Sequence, residues 1–274
     1  MLPTHIRGRV LSIAGSDSGG GAGLQADLKT ITALGGYAST AVTAITVQNT
    51  LGVGDIHPVP LKVISAQIKA VLEDIGADAI KTGMLATTDV IKTVAVALQA
   101  TGPNIPLIVD PVMVAKGGAT LLAVDALEVL RTLMLPRADL VTPNLPEAEA
   151  LTGRKISSVQ DMRAAAKLIL AFGPKAVLLK GGHLPGTQVT DVYIGPDGTH
   201  EWSVERILTN QTHGTGCTLA SAVATGFAQG MNAIDSISRA RAYVLQAIKT
   251  APGFGRGHGP LNHAHTVRAF RENE

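Results

Sequence analysis

Three observations in the sequence predict an α/β fold, a parallel sheet with helices on both faces. Short Val/Ile/Leu runs alternate with longer helical patterns along most of the chain. Repeated strand–helix units imply parallel strands joined by right-handed crossovers. Several of the apolar runs end in polar or glycine-bearing segments, and the composition favours small and aliphatic residues, with 46% hydrophobic, 30 glycines and 3% aromatic. Such a composition lets helices pack closely on a sheet that is buried on both sides.

The elements follow in order. Val10 to Ala14 reads as a strand, and a helix follows from about Ala22 to Leu34. Ala38 to Val47 is a second strand, rich in β-branched residues, and a helix from about Lys62 follows His57-Pro58 and runs to Glu73. Ala79 to Lys81 is a strand end, and Thr87 or Thr88 caps a helix to Ala100. Leu107 to Asp110 is a strand, followed by a helix from about Ala123 to Leu133. Leu140 to Thr142 is a strand, and Pro146 opens a short helix at a favoured first position. A helix from Gln160 to Ala171 precedes a strand from Ala176 to Lys180. The rhythm then changes: Val189 to Ile194 and Thr199 to Val204 flank a Pro-Asp-Gly turn and read as a hairpin. Helices from about Thr215 to Gln229 and Ile234 to Lys249 complete the pattern, before a loop-like tail, Gly253 to His265, whose order depends on its neighbours. No linker, repeat or low-complexity segment divides the 274 residues, so one domain over residues 1–274 is expected.

Charge narrows the function. There are 23 basic and 21 acidic residues, a net charge of +2, and no run of like charge. Basic residues are scattered and few aromatics lie near them, which argues against a nucleic-acid partner. A single cysteine rules out an intramolecular disulfide and a cysteine-based zinc site. The apolar run after Met1 to Arg9 is too short for a signal peptide, and no stretch is long enough to span a membrane, so a cytoplasmic enzyme is expected.

Ligands of open parallel sheets sit beyond the strands' carboxyl ends. Those ends here carry Gly15 to Gly23, Gln48-Asn49, Lys81-Thr82-Gly83, Asp110-Pro111, Thr142-Pro143-Asn144 and Lys180-Gly-Gly-His183. Gly21-Ala-Gly23-Leu-Gln-Ala26 fits a loose dinucleotide fingerprint, but the next strand ends in Gln48, where an acid would be wanted for the ribose. No P-loop sequence occurs. The phosphate site is therefore placed in Asn210-Gln-Thr212-His-Gly214-Thr215-Gly216-Cys217, a glycine-punctuated turn that runs into a helix. Unpaired N–H groups and a partial positive charge at a helix start suit phosphate oxygens. Cys217 is either a small buried hydrophobe or, at that helix start, a thiol favoured as thiolate and placed to take a proton from a substrate hydroxyl. Lys180 is either a surface lysine or a phosphate contact. Asp110 and Glu147 suit Mg²⁺, directly or through water, although Glu147 equally suits a first-turn helix acid.

Together, AGSDSGGGAGLQADLKT from Ala14, TAITVQNT from Thr43, KTGML from Lys81, VDPVM from Val109, TPNLPEAEAL from Thr142, LLKGGH from Leu178 and NQTHGTGCTLASA from Asn210 resemble the hydroxymethylpyrimidine/phosphomethylpyrimidine kinases of thiamine biosynthesis, in the ribokinase-like superfamily. The resemblance spans about Val10 to Ile248. It implies a three-layer α/β/α fold around a mostly parallel sheet, usually in a homodimer. It also implies ATP-dependent phosphorylation of 4-amino-5-hydroxymethyl-2-methylpyrimidine and then of its monophosphate. By resemblance Gln48 contacts the pyrimidine, and Gly15, Asp17 and Met84 line that pocket. Cys217 stands where many relatives place an aspartate base, Lys180 contacts ATP phosphates, and Asp110 and Glu147 organise magnesium. A carboxamide at Gln48 makes chemical sense, because a 4-aminopyrimidine edge shows an acceptor beside a donor. A polar strand end capped by water is the plainer account of Gln48. Pyridoxal kinase activity and a non-catalytic vitamin-binding module are the competing readings.

Overall fold

The computed structural model describes residues 7–113, 121–123 and 125–268. Its centre is a nine-stranded sheet, made by β1 (Arg9–Asp17), β2 (Tyr37–Asn49), β3 (Gly52–Pro58), β4 (Ala79–Thr82), β5 (Leu107–Val109), β6 (Leu140–Val141), β7 (Val177–Leu179), β8 (Gln188–Gly195) and β9 (Gly198–Glu205). The spatial order is β3-β2-β1-β4-β5-β6-β7-β8-β9. Pairings from β2 through β7 are parallel, whereas β3 joins β2, β8 joins β7 and β9 joins β8 antiparallel. From β1 the chain first builds one side of the sheet and then crosses to β4 on the other. The carboxyl ends of β1 and β4 therefore flank a switch point, where a crevice for ligands opens.

Alternation along the short parallel strands produces the three layers. Val10, Ala79, Ile108, Leu140 and Leu178 face one core, with side chains of α1 (Gly23–Ala33), α7 (Thr215–Ala228) and α8 (Ala233–Lys249). Leu11, Ile80, Leu107, Val109, Val141 and Val177 face the other. There they meet α2 (Leu61–Asp74), α3 (Thr88–Thr101), α5 (Leu145–Thr152) and α6 (Val159–Leu170). Successive residues of a strand point to opposite faces, so apolar residues at every position require helices on both sides. α7 is covered almost all round, with buried residues running from Thr218 to Gly226.

Three local readings need correction. The helix expected from Ala123 to Leu133 is a short α4 (Ala126–Val129) followed by a π-helical turn, Leu130–Met134, and a 3₁₀ turn, Leu135–Arg137; Val124 lies outside the described residues. Pro136 has no N–H to continue an α-helix, and the Leu135 N–H reaches back to the Leu130 carbonyl instead. Pro146 is the second helical residue of α5, after Asn144 as cap and Leu145. Strand β3 was not read from the sequence, because two glycines and a proline in seven residues obscure an edge strand. The tail is a loop held by neighbours: the His258 N–H donates to the Thr50 carbonyl at 2.9 Å, the His213 N–H to the Gly259 carbonyl at 3.1 Å, and the Tyr243 hydroxyl to the His263 carbonyl at 2.6 Å. Met1 to Ile6, part of the leading segment considered above, lies outside the described residues.

Candidate active site

The first glycine loop closes on a carboxylate of its own. Asp17, the last residue of β1, is 2% exposed and accepts from the N–H groups of Gly19 at 2.8 Å, Gly21 at 3.1 Å and Ala22 at 2.8 Å. His213 Nε2 lies 2.8 Å from Asp17 Oδ2, so that nitrogen carries the proton it donates. Burial alone would raise the Asp17 pKa, but His213 and the loop amides hold it below the ordinary carboxylate range. Amides that a dinucleotide phosphate would need are thus already engaged. Gln48, at the end of β2, brings its carboxamide to 3.1 Å from Thr46 Oγ1 and 3.4 Å from His213 Nε2. The imidazole joins the Asp17 loop to the turn before α7, and the Gln48 amide nitrogen lies against it.

The second glycine turn begins α7. Gly214 is its cap, with φ of +81°, and Thr215, Gly216 and Cys217 form the first turn. Thr212 braces the entry by accepting from Thr215 Oγ1 at 3.1 Å. A Cβ placed on Gly216 would lie 3.2 Å from Lys180 Nζ and 3.7 Å from Asp110 Oδ2, so a charged pair overhangs the helix start. Lys180 Nζ donates to Asp110 Oδ1 at 2.9 Å, and Thr142 Oγ1 donates to the same oxygen at 3.1 Å. Burial disfavours the Lys180 ammonium, but Asp110 and Glu147 outweigh it and its pKa is raised.

Glu147 is tied into its helix start. Its Oε2 accepts from the Asn144 N–H at 2.7 Å while Asn144 Oδ1 accepts from the Glu147 N–H at 3.0 Å, a reciprocal capping box. Burial pushes the Glu147 pKa up to about 7; Lys180 opposes the shift and Asp110 adds to it. A carboxyl that holds its proton more tightly folded than unfolded loses stability as pH rises from the ordinary carboxylate range through 7. Glu147→Gln keeps the cap and removes that loss, which is a few kcal/mol at most at about 1.4 kcal/mol per pKa unit. The variant should therefore melt higher than the parent at pH 8 and alike at pH 5, while its turnover with ATP falls. Identical melting differences at both pH values would contradict the buried-carboxyl account.

Cys217 requires a correction. The helix start was expected to favour its thiolate, yet burial pushes the thiol pKa up to about 11. The Lys81 charge and the Gly23 N–H lower it, but they do not overcome desolvation and the nearby Asp27 and Asp110 carboxylates. Cys217 is half-buried rather than packed away, and it lines the cavity.

One cavity of about 430 Å³ at the strands' carboxyl ends gathers the residues expected from sequence. Gly15, Asp17, Gln48 and Met84 line one part, and Asp110, Glu147, Lys180, Thr212, Gly214, Thr215, Gly216 and Cys217 line the rest. Sequence reading gave no individual role to Lys81, His213 and Asn144, which line it as well. Lys81 reads as a polar strand end, whereas it lies within β4 and is buried.

Among the described residues no group of three or more His, Cys, Asp or Glu side chains is arranged to hold a metal ion. Asp110 and Glu147 still fit magnesium in the way it usually accompanies ATP, with one or two carboxylates adding to phosphate oxygens and water. Asp110 Oδ2 faces the helix start while Oδ1 is taken by Lys180 and Thr142.

A cavity of this polarity at the switch point of a three-layer sheet defines a ribokinase-like kinase of small molecules. A solved structure with that fold, pyridoxal kinase from Staphylococcus aureus in complex with AMP-PCP and pyridoxal, is similar at a TM-score of 0.88 and 36% identity, over 96% of each chain. The family model for phosphomethylpyrimidine kinase matches residues 17–262, and the chain belongs to that family. It is 44% identical to the hydroxymethylpyrimidine/phosphomethylpyrimidine kinase of Bacillus subtilis, over 97% of this chain and 96% of that protein. It is 51% identical to the thiamine biosynthesis bifunctional protein ThiED of Geobacter sulfurreducens, over 97% of this chain but 54% of that protein, so it spans about half of that relative's length.

Proposed function

We propose that the cavity phosphorylates 4-amino-5-hydroxymethyl-2-methylpyrimidine with ATP, and then phosphorylates the monophosphate to the diphosphate. The observation that carries this reading is the presence, in one cavity, of a carboxamide fit for an aminopyrimidine edge and an anion-binding helix start. Gln48 and the Met84 side chain receive the ring. The first turn of α7 and Lys180 receive the transferred phosphoryl group, each such donor typically contributing about 10²–10³ in rate. Cys217 Sγ accepts the hydroxyl proton as the alcohol oxygen bonds to the γ-phosphorus and the bond from that phosphorus to ADP breaks. Magnesium held at Asp110 and Glu147, directly or through water, would neutralise charge on the ATP phosphates. Parallel assays with the pyrimidine alcohol, its monophosphate and pyridoxal test the assignment. Pyridoxal is the second reading, because the Staphylococcus aureus structure contains it; a higher kcat/KM for pyridoxal would reverse the ranking.

Gln48→Glu should weaken pyrimidine binding. The substituted carboxylate cannot donate to the ring nitrogen, and it would stand beside the Asp17–His213 pair. A mismatched bidentate contact costs about 1–3 kcal/mol, or about five- to 150-fold in Kd. Calorimetric titration of the pyrimidine into both proteins checks it, and equal affinities would remove Gln48 from the pocket.

The proposal extends to a homodimer, for which the exposed Ile45, Val47 and Leu51 supply apolar surface, and to a cytoplasmic location. No helix among the described residues is long and apolar enough to cross a membrane.

A further inference from the structure

The tail after α8 closes on the start of α7 through contacts that the proposed chemistry does not use. Gly257 passes so near Thr50, just beyond β2, that a Cβ there would drive into the Thr50 carbonyl. Two residues later the Gly259 carbonyl accepts from the N–H of His213, the residue before the α7 cap. The tail then anchors on α8. The Asn262 N–H donates to the Ala247 carbonyl at 3.0 Å, and the Tyr243 hydroxyl holds the His263 carbonyl. So placed, the His263 imidazole reaches α7: its Nε2 lies 2.9 Å from Thr218 Oγ1, with His263 5% and Thr218 0% exposed. Contacts at His213 and Thr218 thus bracket Gly214 to Cys217, the stretch whose N–H groups form the phosphoryl cradle.

Thr218 departs from the habit of helical threonines, which turn the hydroxyl back to the carbonyl four residues earlier. Thr225, further along the same helix, does so and donates to the Ser221 carbonyl at 2.7 Å. Thr218 directs its hydroxyl to the tail instead. Burial lowers the His263 pKa to about 4, so the ring is neutral, with one donor and one acceptor nitrogen. The Leu261 carbonyl takes the ring proton, and Nε2 therefore accepts from the Thr218 O–H. The contact needs a hydroxyl at one end and a bare ring nitrogen at the other. We propose that the tail braces the phosphoryl cradle, and that His263 is a positioning residue that acts through Thr218 to hold the first turn of α7 in place. The proposal rests on that turn being the phosphoryl site. Donors that stay fixed while charge develops need no reorganisation during the reaction. The brace therefore governs kcat rather than affinity for the ring.

Thr218→Val exchanges the hydroxyl for a methyl, Thr218→Ser keeps the hydroxyl, and His263→Phe keeps a ring without nitrogen. Thr218→Val and His263→Phe should each lower kcat about ten- to a hundredfold, as small misplacements of a reacting array do, with KM for the phosphoryl acceptor unchanged. Thr218→Ser should restore most of kcat. The double variant Thr218→Val/His263→Phe should be no slower than the worse single one, because both substitutions remove one contact. Amide hydrogens of residues 214–217 should exchange faster in Thr218→Val than in Thr218→Ser. A lowered Tm with undiminished kcat, whatever the exchange rates, would make the tail a stabilising contact only and overturn the proposal. So would a Thr218→Ser protein as slow as Thr218→Val, or losses that multiply in the double variant. Should His263→Phe not fold, the two Thr218 variants decide, and Thr218→Ala replaces a valine variant that does not fold. Each assay uses ATP with whichever of the pyrimidine alcohol and pyridoxal the unaltered protein prefers. A preference for pyridoxal would thus overturn the substrate assignment and leave this test intact, whereas failure of the brace leaves that preference as it was.

Discussion

Cys217→Ala lowers the rate of the first phosphorylation by about 10²–10⁴, the usual worth of a positioned general base, and lowers the second far less. The two acceptors differ in their need for a base. An alcohol holds its proton at neutral pH, so its oxygen needs the sulfur. A phosphate monoester has a second pKa of about 6 and is already largely a dianion at pH 7. Removing the thiol therefore splits two activities that share one cavity. The high thiol pKa sharpens the expectation: with a value of about 11, few molecules carry a thiolate at pH 7, and first-step turnover should climb through the alkaline range. That climb should vanish in the variant. Affinity for the ring should change little, because Gln48 belongs to another element and its side-chain oxygen accepts from Thr46. Single-turnover rates with the alcohol and the monophosphate decide the matter. Equal losses for both acceptors would mean that Cys217 acts by shaping the helix start rather than by moving a proton.

The fold was legible wherever the sequence had to satisfy two cores at once. Val10 and Leu11 belong to opposite cores, as do Ala79 and Ile80, and such unbroken apolar runs are what a sheet covered on both faces requires. Readings failed where backbone geometry outweighed side-chain pattern. Pro136 turns a well-patterned helix into a π turn and a 3₁₀ turn, and Gly52-Val-Gly-Asp pairs with β2 although its glycines and aspartate disfavour a strand.

The site was legible for a related reason. Polar residues at the ends of buried strands have no packing role there, so Asp110, Asn144 and Lys180 stood out. What stayed hidden arises from distance in sequence. Asp27 reads as one polar residue of a helix, and only the fold brings Ser12, Lys81 and Ser221 to its carboxylate. Desolvation was equally hidden: a helix start predicts a lowered thiol pKa, but the depth of the thiol beside two carboxylates is a property of the assembled cavity, and it reverses the sign. His213 sat inside a recognised motif without a role, because its partner Asp17 lies in the opposite glycine loop.

Those two loops touch, and Gly214 is where they do. Its φ of +81° lies in the left-handed region, and a Cβ there would drive into the Gly21 carbonyl. Gly21 in turn donates its N–H to Asp17. Gly214→Ala consequently strains the cap of α7 and pushes on the loop that Asp17 organises. Left-handed backbone costs an alanine about 1–2 kcal/mol, and a clash with main chain cannot be relieved by a rotamer. A total loss of about 2–3 kcal/mol is expected, as for overpacked sites, which lowers Tm by about 4–5 °C for a protein of this size. Misplacing even one amide of the phosphoryl cradle should also lower kcat/KM by about 10²–10³. Gly230, just beyond the other end of the same helix, isolates the second effect. It has φ of +80°, and no atom lies within 4 Å of where its Cβ would stand. Gly230→Ala should thus show the backbone strain without the clash, losing stability but not turnover. If Gly214→Ala behaved like Gly230→Ala in both measurements, the first turn of α7 would not be the phosphate cradle.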